Sequence, residues 1–134
     1  MARAGGYRVL IVDDDDVSRA LIDMALVRAG CKTVSVADGA EALVRLQGET
    51  FDLLVTDIVL PEADGYEVIQ NAQRWQKKIK ILAVSGGDQK RLPAELALDV
   101  ASKLGIDGQL AKPFTPDELV QVVDAIRHPA TQKK

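Results

Sequence analysis

The chain has 134 residues, 47% of them hydrophobic, with no Pro- or Gly-rich stretch. This is the size and make-up of one ordinary globular domain, which buries roughly 68% of the surface its unfolded chain exposes and needs no disulfide or structural metal. A second folded domain is therefore not expected, and seventeen basic against twenty acidic residues, a net charge of −3, offer no footprint for nucleic acid or an anionic membrane. Proteins or small ions are the expected partners. The one cysteine, Cys31, cannot pair internally, and with no targeting leader or membrane-length apolar run a cytoplasmic location is expected.

In chain order, Tyr7 to Val12 is a nearly continuous apolar run rich in β-branched residues, which predicts a strand covered on both faces. It ends in four consecutive aspartates, Asp13 to Asp16. From Val17 the positions Leu21, Met24, Ala25 and the stem of Arg28 recur at helical spacing, with Gly30 as the residue just past the end. Lys32 to Ala37 alternates as a strand. Asp38-Gly39-Ala40-Glu41 then has the spacing of a capping box opening a helix through Leu43 and Leu46.

The unit repeats three more times. Phe51 to Thr56 reads as a strand, Pro61 to Asp64 as a loop, and Val68, Ile69, Ala72 and Trp75 as the stripe of a third helix. Ile79 to Val84 is the fourth strand, and Pro93 opens a fourth helix with Ala97, Val100, Ala101 and Leu104 before a stop at Gly105. Gln109 to Ala111 is a short last strand. Thr115-Pro116-Asp117-Glu118 combines cap, N1 proline and box glutamate at the start of a final helix carrying Leu119, Val122, Val123 and Ile126. Residues 1–6 form a leader and 128–134 a polar tail.

Five β-α units in a row predict an α/β fold, a parallel sheet with helices on both faces, because each crossover is right-handed and covers the sheet. In such a sheet the ligand site lies at the carboxyl ends of the strands. The residues there are Asp13 to Asp16, Asp57, Ser85 and Lys112-Pro113. Clustered carboxylates repel unless a cation sits among them, and hard oxygen ligands suit Mg²⁺. A lysine and a hydroxyl at the same end supply the cation and donor that a phosphoryl group needs. The combination reads as a magnesium-assisted phosphoryl site with an aspartate nucleophile.

Val9-Leu-Ile-Val-Asp-Asp-Asp with Arg19 downstream, Asp52-Leu-Leu-Val-Thr-Asp57 leading into Leu60-Pro61 and Asp64-Gly65, Ser85, and Lys112-Pro113-Phe114 together resemble the receiver domain of bacterial two-component response regulators. The resemblance covers roughly Tyr7 to Ile126. It implies a flavodoxin-like, doubly wound (βα)5 three-layer sandwich of strand order 2-1-3-4-5, with the receiver spanning residues 7–127. It further implies that Asp57 is the phosphoacceptor, that Asp13, Asp14 and Asp57 hold Mg²⁺ with the backbone carbonyl of Val59, that Ser85 and Lys112 bind phosphoryl oxygens, and that the Lys112-Pro113 bond is cis. The implied donor is a sensor histidine kinase or histidine phosphotransfer protein. The chain, expected to stand alone as a monomer or weak dimer and to catalyse only its own phosphorylation and dephosphorylation, would then signal to a downstream protein target.

Other readings bound this one. Asp15 and Asp16 read more simply as helix-capping residues, Trp75 as core edge, His128 as tail and Cys31 as a structural thiol. Asp13-x-Asp15-x-Val17 also fits the nucleophile motif of haloacid-dehalogenase-like phosphatases, but the acidic pair those enzymes need after the lysine falls at a helix start, Asp117-Glu118. A flavin carrier would need Ser, Thr or Gly where the acids stand. A degenerate receiver serving only for docking is disfavoured by the intact acidic, hydroxyl and lysine set. Three positions depart from the receiver pattern: Gln109 where Tyr or Phe is usual at the switch, Gly86-Gly87 after Ser85, and a longer stretch between Ser85 and Gly105. These direct the switch toward Ser85 and the glycines that follow it.

Overall fold

The computed structural model describes residues 6–58, 65–85 and 104–129. Val59, Gly86, Gly87 and most of the helix expected from Pro93 lie outside them. The described elements are β1 (Arg8–Val12), α1 (Asp16–Arg28), β2 (Lys32–Val36), α2 (Gly39–Gly48), β3 (Leu53–Asp57), α3 (Gly65–Trp75), β4 (Lys80–Ser85), β5 (Gly108–Ala111) and α4 (Pro116–Arg127).

The strands form one parallel sheet in the order β2-β1-β3-β4-β5, the flavodoxin-like arrangement expected. Because successive side chains on a strand point to opposite faces, β1 feeds two cores. Leu10 and Val12 pack with Leu54, Ile81, Ala83 and the apolar stripes of α2 and α3. Val9 and Ile11 pack with Val55, Leu82, Val84 and the stripes of α1 and α4. The continuous apolar character of β1, β3 and β4 thus follows from cover on both sides.

Caps set the helix starts. Asp15 accepts a hydrogen bond from Ser18 N at 2.8 Å, and Asp38 accepts one from Glu41 N at 2.8 Å. At α4 both bonds of the capping box form, Glu118 N to Thr115 Oγ1 at 3.1 Å and Thr115 N to Glu118 Oε1 at 2.8 Å. Gly30, at φ +94°, takes the left-handed turn past α1 that a side chain rarely adopts.

Two expectations shift. On α1 the buried face is Ile22, Ala25 and Leu26, while Val17 and Met24 are 75% and 58% exposed. Apolar residues run nearly all round this helix, so spacing alone admits two faces, and the sheet takes the one that Ile22 heads. Strand β3 begins at Leu53 rather than Phe51. The Asp52 carboxylate accepts from Arg8 N at 2.8 Å, and Phe51 N donates to Gln76 Oε1 at 2.9 Å, so both residues are held by side-chain bonds ahead of the ladder.

Candidate functional site

The parallel order brings the carboxyl ends of β1, β3, β4 and β5 to one edge, and the expected residues gather there. Asp13 follows β1, its N–H bonded to Val36 O at 3.2 Å and its side chain fully buried. Asp57 is the last residue of β3 and Ser85 the last of β4; both are buried. Lys112 follows β5, its N–H donating to Ser85 O at 2.7 Å and its bond to Pro113 cis, as implied.

Lys112 Nζ stands 3.0 Å from Asp13 Oδ2 and 3.0 Å from Asp57 Oδ2. With Asp57 it makes a hydrogen bond. The contact with Asp13 is an ion pair, and Asp13 Oδ2 is a buried carboxylate oxygen with no other donor among the described residues. Asp13 Oδ1 accepts from Asp15 N at 2.9 Å. Exposed Asp14 completes the group: each of Asp13, Asp14 and Asp57 offers a carboxylate oxygen, and these lie within 4.8 Å of one another. Three carboxylate oxygens at this separation fit a hard divalent cation open to water.

Burial pushes the Asp13 carboxyl up from its ordinary range, against the opposing pull of the Asp15 N–H and of Lys112. Burial alone would draw the Lys112 ammonium down, but the charges of Asp57 and Asp13 outweigh it and the lysine titrates higher than usual. The pocket therefore keeps a firmly charged cation between two carboxylates. Asp15 and Asp16 stand apart. Asp15 caps α1, and the Ser18 N–H holds its carboxyl below the usual range. Asp16 is exposed and pairs with Arg19 at 2.6 Å.

Three contributors carried no assigned role in the sequence reading. Arg19 Nη1 donates to Asp13 O at 2.8 Å, tying the acidic loop to the first turn of α1. Thr56, fully buried, donates its hydroxyl to Asp57 O at 2.9 Å. Gly65 opens α3 against the end of β3, where a Cβ would stand 2.3 Å from Asp57 O. A basic residue one turn into the helix after the acids was the signal available for Arg19. The other two stand within the motifs that carry the resemblance, but their roles rest on backbone contacts that those motifs do not spell out. Gln109 is exposed on β5.

A parallel sheet in this order, with buried carboxylates and a lysine at its carboxyl edge, defines an α/β module whose acidic pocket is of the kind typical of phosphoacceptor sites. The response regulator receiver domain matches residues 9–124, and the chain belongs to that family. Its members act mainly as signalling switches, which displaces the phosphatase and flavin-carrier alternatives. The response regulator receiver protein CpdR of Brucella abortus is 36% identical over 118 residues, 87% of this chain and 93% of that protein. The alkaline phosphatase synthesis regulator PhoP of Bacillus subtilis is 33% identical over 119 residues, but these are 89% of this chain and 48% of PhoP, so the chain spans about half that relative's length. Among solved structures, the response regulator TrrA of Thermotoga maritima, in complex with Mg²⁺-BeF, superposes with a TM-score of 0.74 at 28% identity, covering 90% of this chain and 98% of that one.

Proposed function

We propose that residues 7–127 are a phosphoacceptor receiver: Asp57 takes a phosphoryl group from a phosphohistidine on a sensor kinase or phosphotransfer protein. The observation that carries this reading is the placement of Lys112 Nζ at 3.0 Å from the carboxylates of both Asp57 and Asp13. An Asp57 carboxylate oxygen attacks phosphorus as the bond to the imidazole nitrogen breaks, and the electron pair leaves with the donor histidine. The product is an aspartyl phosphate. Lys112 moves from pairing with Asp57 to neutralising the phosphoryl oxygens, while Asp13 remains to hold it near the pocket. Mg²⁺ held by Asp13, Asp14 and Asp57, with the Val59 carbonyl proposed as a further ligand, supplies charge neutralisation and in-line orientation when bound.

The Ser85 hydroxyl is proposed to bind a phosphoryl oxygen, drawing in the chain that follows and so altering the surface offered to a downstream protein. Gln109 lacks an aromatic ring to swing between buried and exposed positions, and its side of the switch is proposed to be reduced. The donor needs a seat beside the pocket. Val17, Met24 and Val27, 75%, 58% and 53% exposed, repeat at helical spacing along α1, which begins at the acidic loop. Neither nucleic acid nor membrane is proposed as a direct partner, and no helix among the described residues is long and apolar enough to cross a membrane. A cytoplasmic location, where Cys31 stays reduced, is part of the same reading.

Intact mass after incubation with a small-molecule phosphodonor and Mg²⁺ tests this. One phosphoryl group is expected on the wild type and none on Asp57→Asn. Undiminished labelling of the variant would move the acceptor to another aspartate.

A further inference from the structure

At the pole opposite the acidic pocket, α3 ends in Arg74-Trp75 and a turn, Gln76-Lys77-Lys78-Ile79, leads into Lys80 of β4. Seven residues carry four cations and no acid. On a chain of net charge −3, this is a local reversal of sign.

The turn is built rigidly. Ile79 N donates to Gln76 O at 3.2 Å, and Ile79 itself is buried. The Gln76 side chain makes three bonds to backbone: Oε1 accepts from Phe51 N at 2.9 Å, and Nε2 donates to Leu46 O at 2.8 Å and Glu49 O at 2.7 Å. This anchoring joins the turn to the end of α2 and the approach to β3. Nothing comparable restrains the cations it displays. Among the described residues, Lys77 and Lys78 are exposed and make no ion pair, and Arg74 bonds only the neutral Asn71 Oδ1 at 2.6 Å. Lys80 faces Asp107 at a loose 3.8 Å. Trp75 leaves 38% of its surface in solvent beside Arg74.

Two open clefts flank the turn. One of about 740 Å³ is lined by Lys77, Lys78 and Lys80, and one of about 690 Å³ by Arg74, Trp75 and Gln76. Cations at a helix C-terminus do offset its dipole, but only Arg74 lies within α3, and the dipole gives no reason for an exposed indole.

We propose that this pole docks a short acidic segment of a partner protein, with Arg74, Lys77 and Lys78 meeting its carboxylates and Trp75 covering apolar side chains between them. Short, because the four cations fall within seven residues and an acid lines each cleft, Glu49 in one and Asp107 in the other. A lipid surface finds a single aromatic ring and no apolar face to receive it. The anchored turn fixes the backbone from which the cations project, so binding orders their side chains but not the segment that carries them.

Trp75 is the only tryptophan and reports directly. Titrating the full chain with hexaglutamate should shift its emission saturably, whereas hexaglutamine should not. Raising salt from about 0.01 M to about 1 M shrinks the screening length from roughly 30 Å to 3 Å and should abolish the shift. Lys77→Glu with Lys78→Glu should weaken binding about tenfold, as expected of two exposed pairs at several-fold each, with circular dichroism and phosphorylation at Asp57 unchanged. Trp75→Phe, followed by anisotropy of labelled hexaglutamate, should weaken binding less than the double charge reversal. No saturable shift, equal binding of hexaglutamine, or an undiminished affinity in the double variant would overturn the proposal. Tighter binding of oligothymidylate or of phosphatidylserine vesicles would overturn it in favour of nucleic acid or membrane.

Discussion

Lys112 stands between two buried carboxylates, 3.0 Å from each, with only 12% of its side chain exposed. Removing it leaves Asp13 and Asp57 without the cation that pairs with both. Lys112→Met should therefore destabilise the fold at neutral pH by about 3 kcal/mol, the scale of breaking a buried pair, as read from urea unfolding without Mg²⁺. The pH dependence has a definite sign. A carboxyl whose folded-state pKa is raised, as burial does to Asp13, binds its proton in the folded state first, so its contribution to stability falls as pH rises from the ordinary value of 3.8 through the raised one. Without Lys112 the Asp13 pKa rises further, and Lys112→Met should recover stability as pH is lowered through that window. A destabilisation that did not change with pH would mean that lost packing, not charge, dominates. The lysine itself was legible in the sequence from its place before Pro113. That it bridges both acids was not, since Asp57 and Lys112 are 55 positions apart.

The start of α3 is set against the end of β3 with no room to spare. A Cβ at Gly65 would lie 2.3 Å from Asp57 O and 2.6 Å from Ile58 Cα, and both neighbours are backbone, which cannot rotate aside. Gly65→Ala should cost about 1–3 kcal/mol and displace Asp57 as well, so denaturant unfolding and the rate of phosphorylation should both suffer. On α1 the opposite holds, since its outer face is free of such constraints. Met24→Glu with Val27→Glu should slow phosphoryl transfer from a phosphohistidine donor at least several-fold while leaving labelling by a small phosphodonor unchanged. Loss of both reactions would show instead that the substitutions disturb the fold. Spacing alone did not choose between the two faces of α1. Its caps were clearer, because Asp15 and Ser18 meet through a bond only three residues apart.

At the scale of the whole molecule, Mg²⁺ bound in the acidic pocket as proposed would make stability depend on the ion. A ligand that binds only the folded state stabilises by about 2.7 kcal/mol at a hundred times its Kd. Thermal unfolding should rise with Mg²⁺ toward that limit in the wild type and in Asp16→Ala, whose side chain points to Arg19, but much less in Asp14→Ala. Equal responses from the two variants would show that the cation is held elsewhere in the acidic run.

The described strands and helices, the parallel sheet and the gathering of Asp13, Asp57, Ser85 and Lys112 could be read along the chain, and the strand order followed from the family resemblance. The signals are local: apolar runs of strand length, caps within four residues, and a helix between successive strands that carries the chain back, so that parallel strands put their carboxyl ends at the same edge. The buried face of α1, the bridging posture of Lys112, the bonds of Gln76 to two other elements and the close seat of Gly65 on Asp57 depended on how distant segments pack. Each is a contact whose two partners are far apart in sequence, and neither partner's own neighbourhood differs from that of an ordinary helix, turn or strand end until the sheet has brought them together.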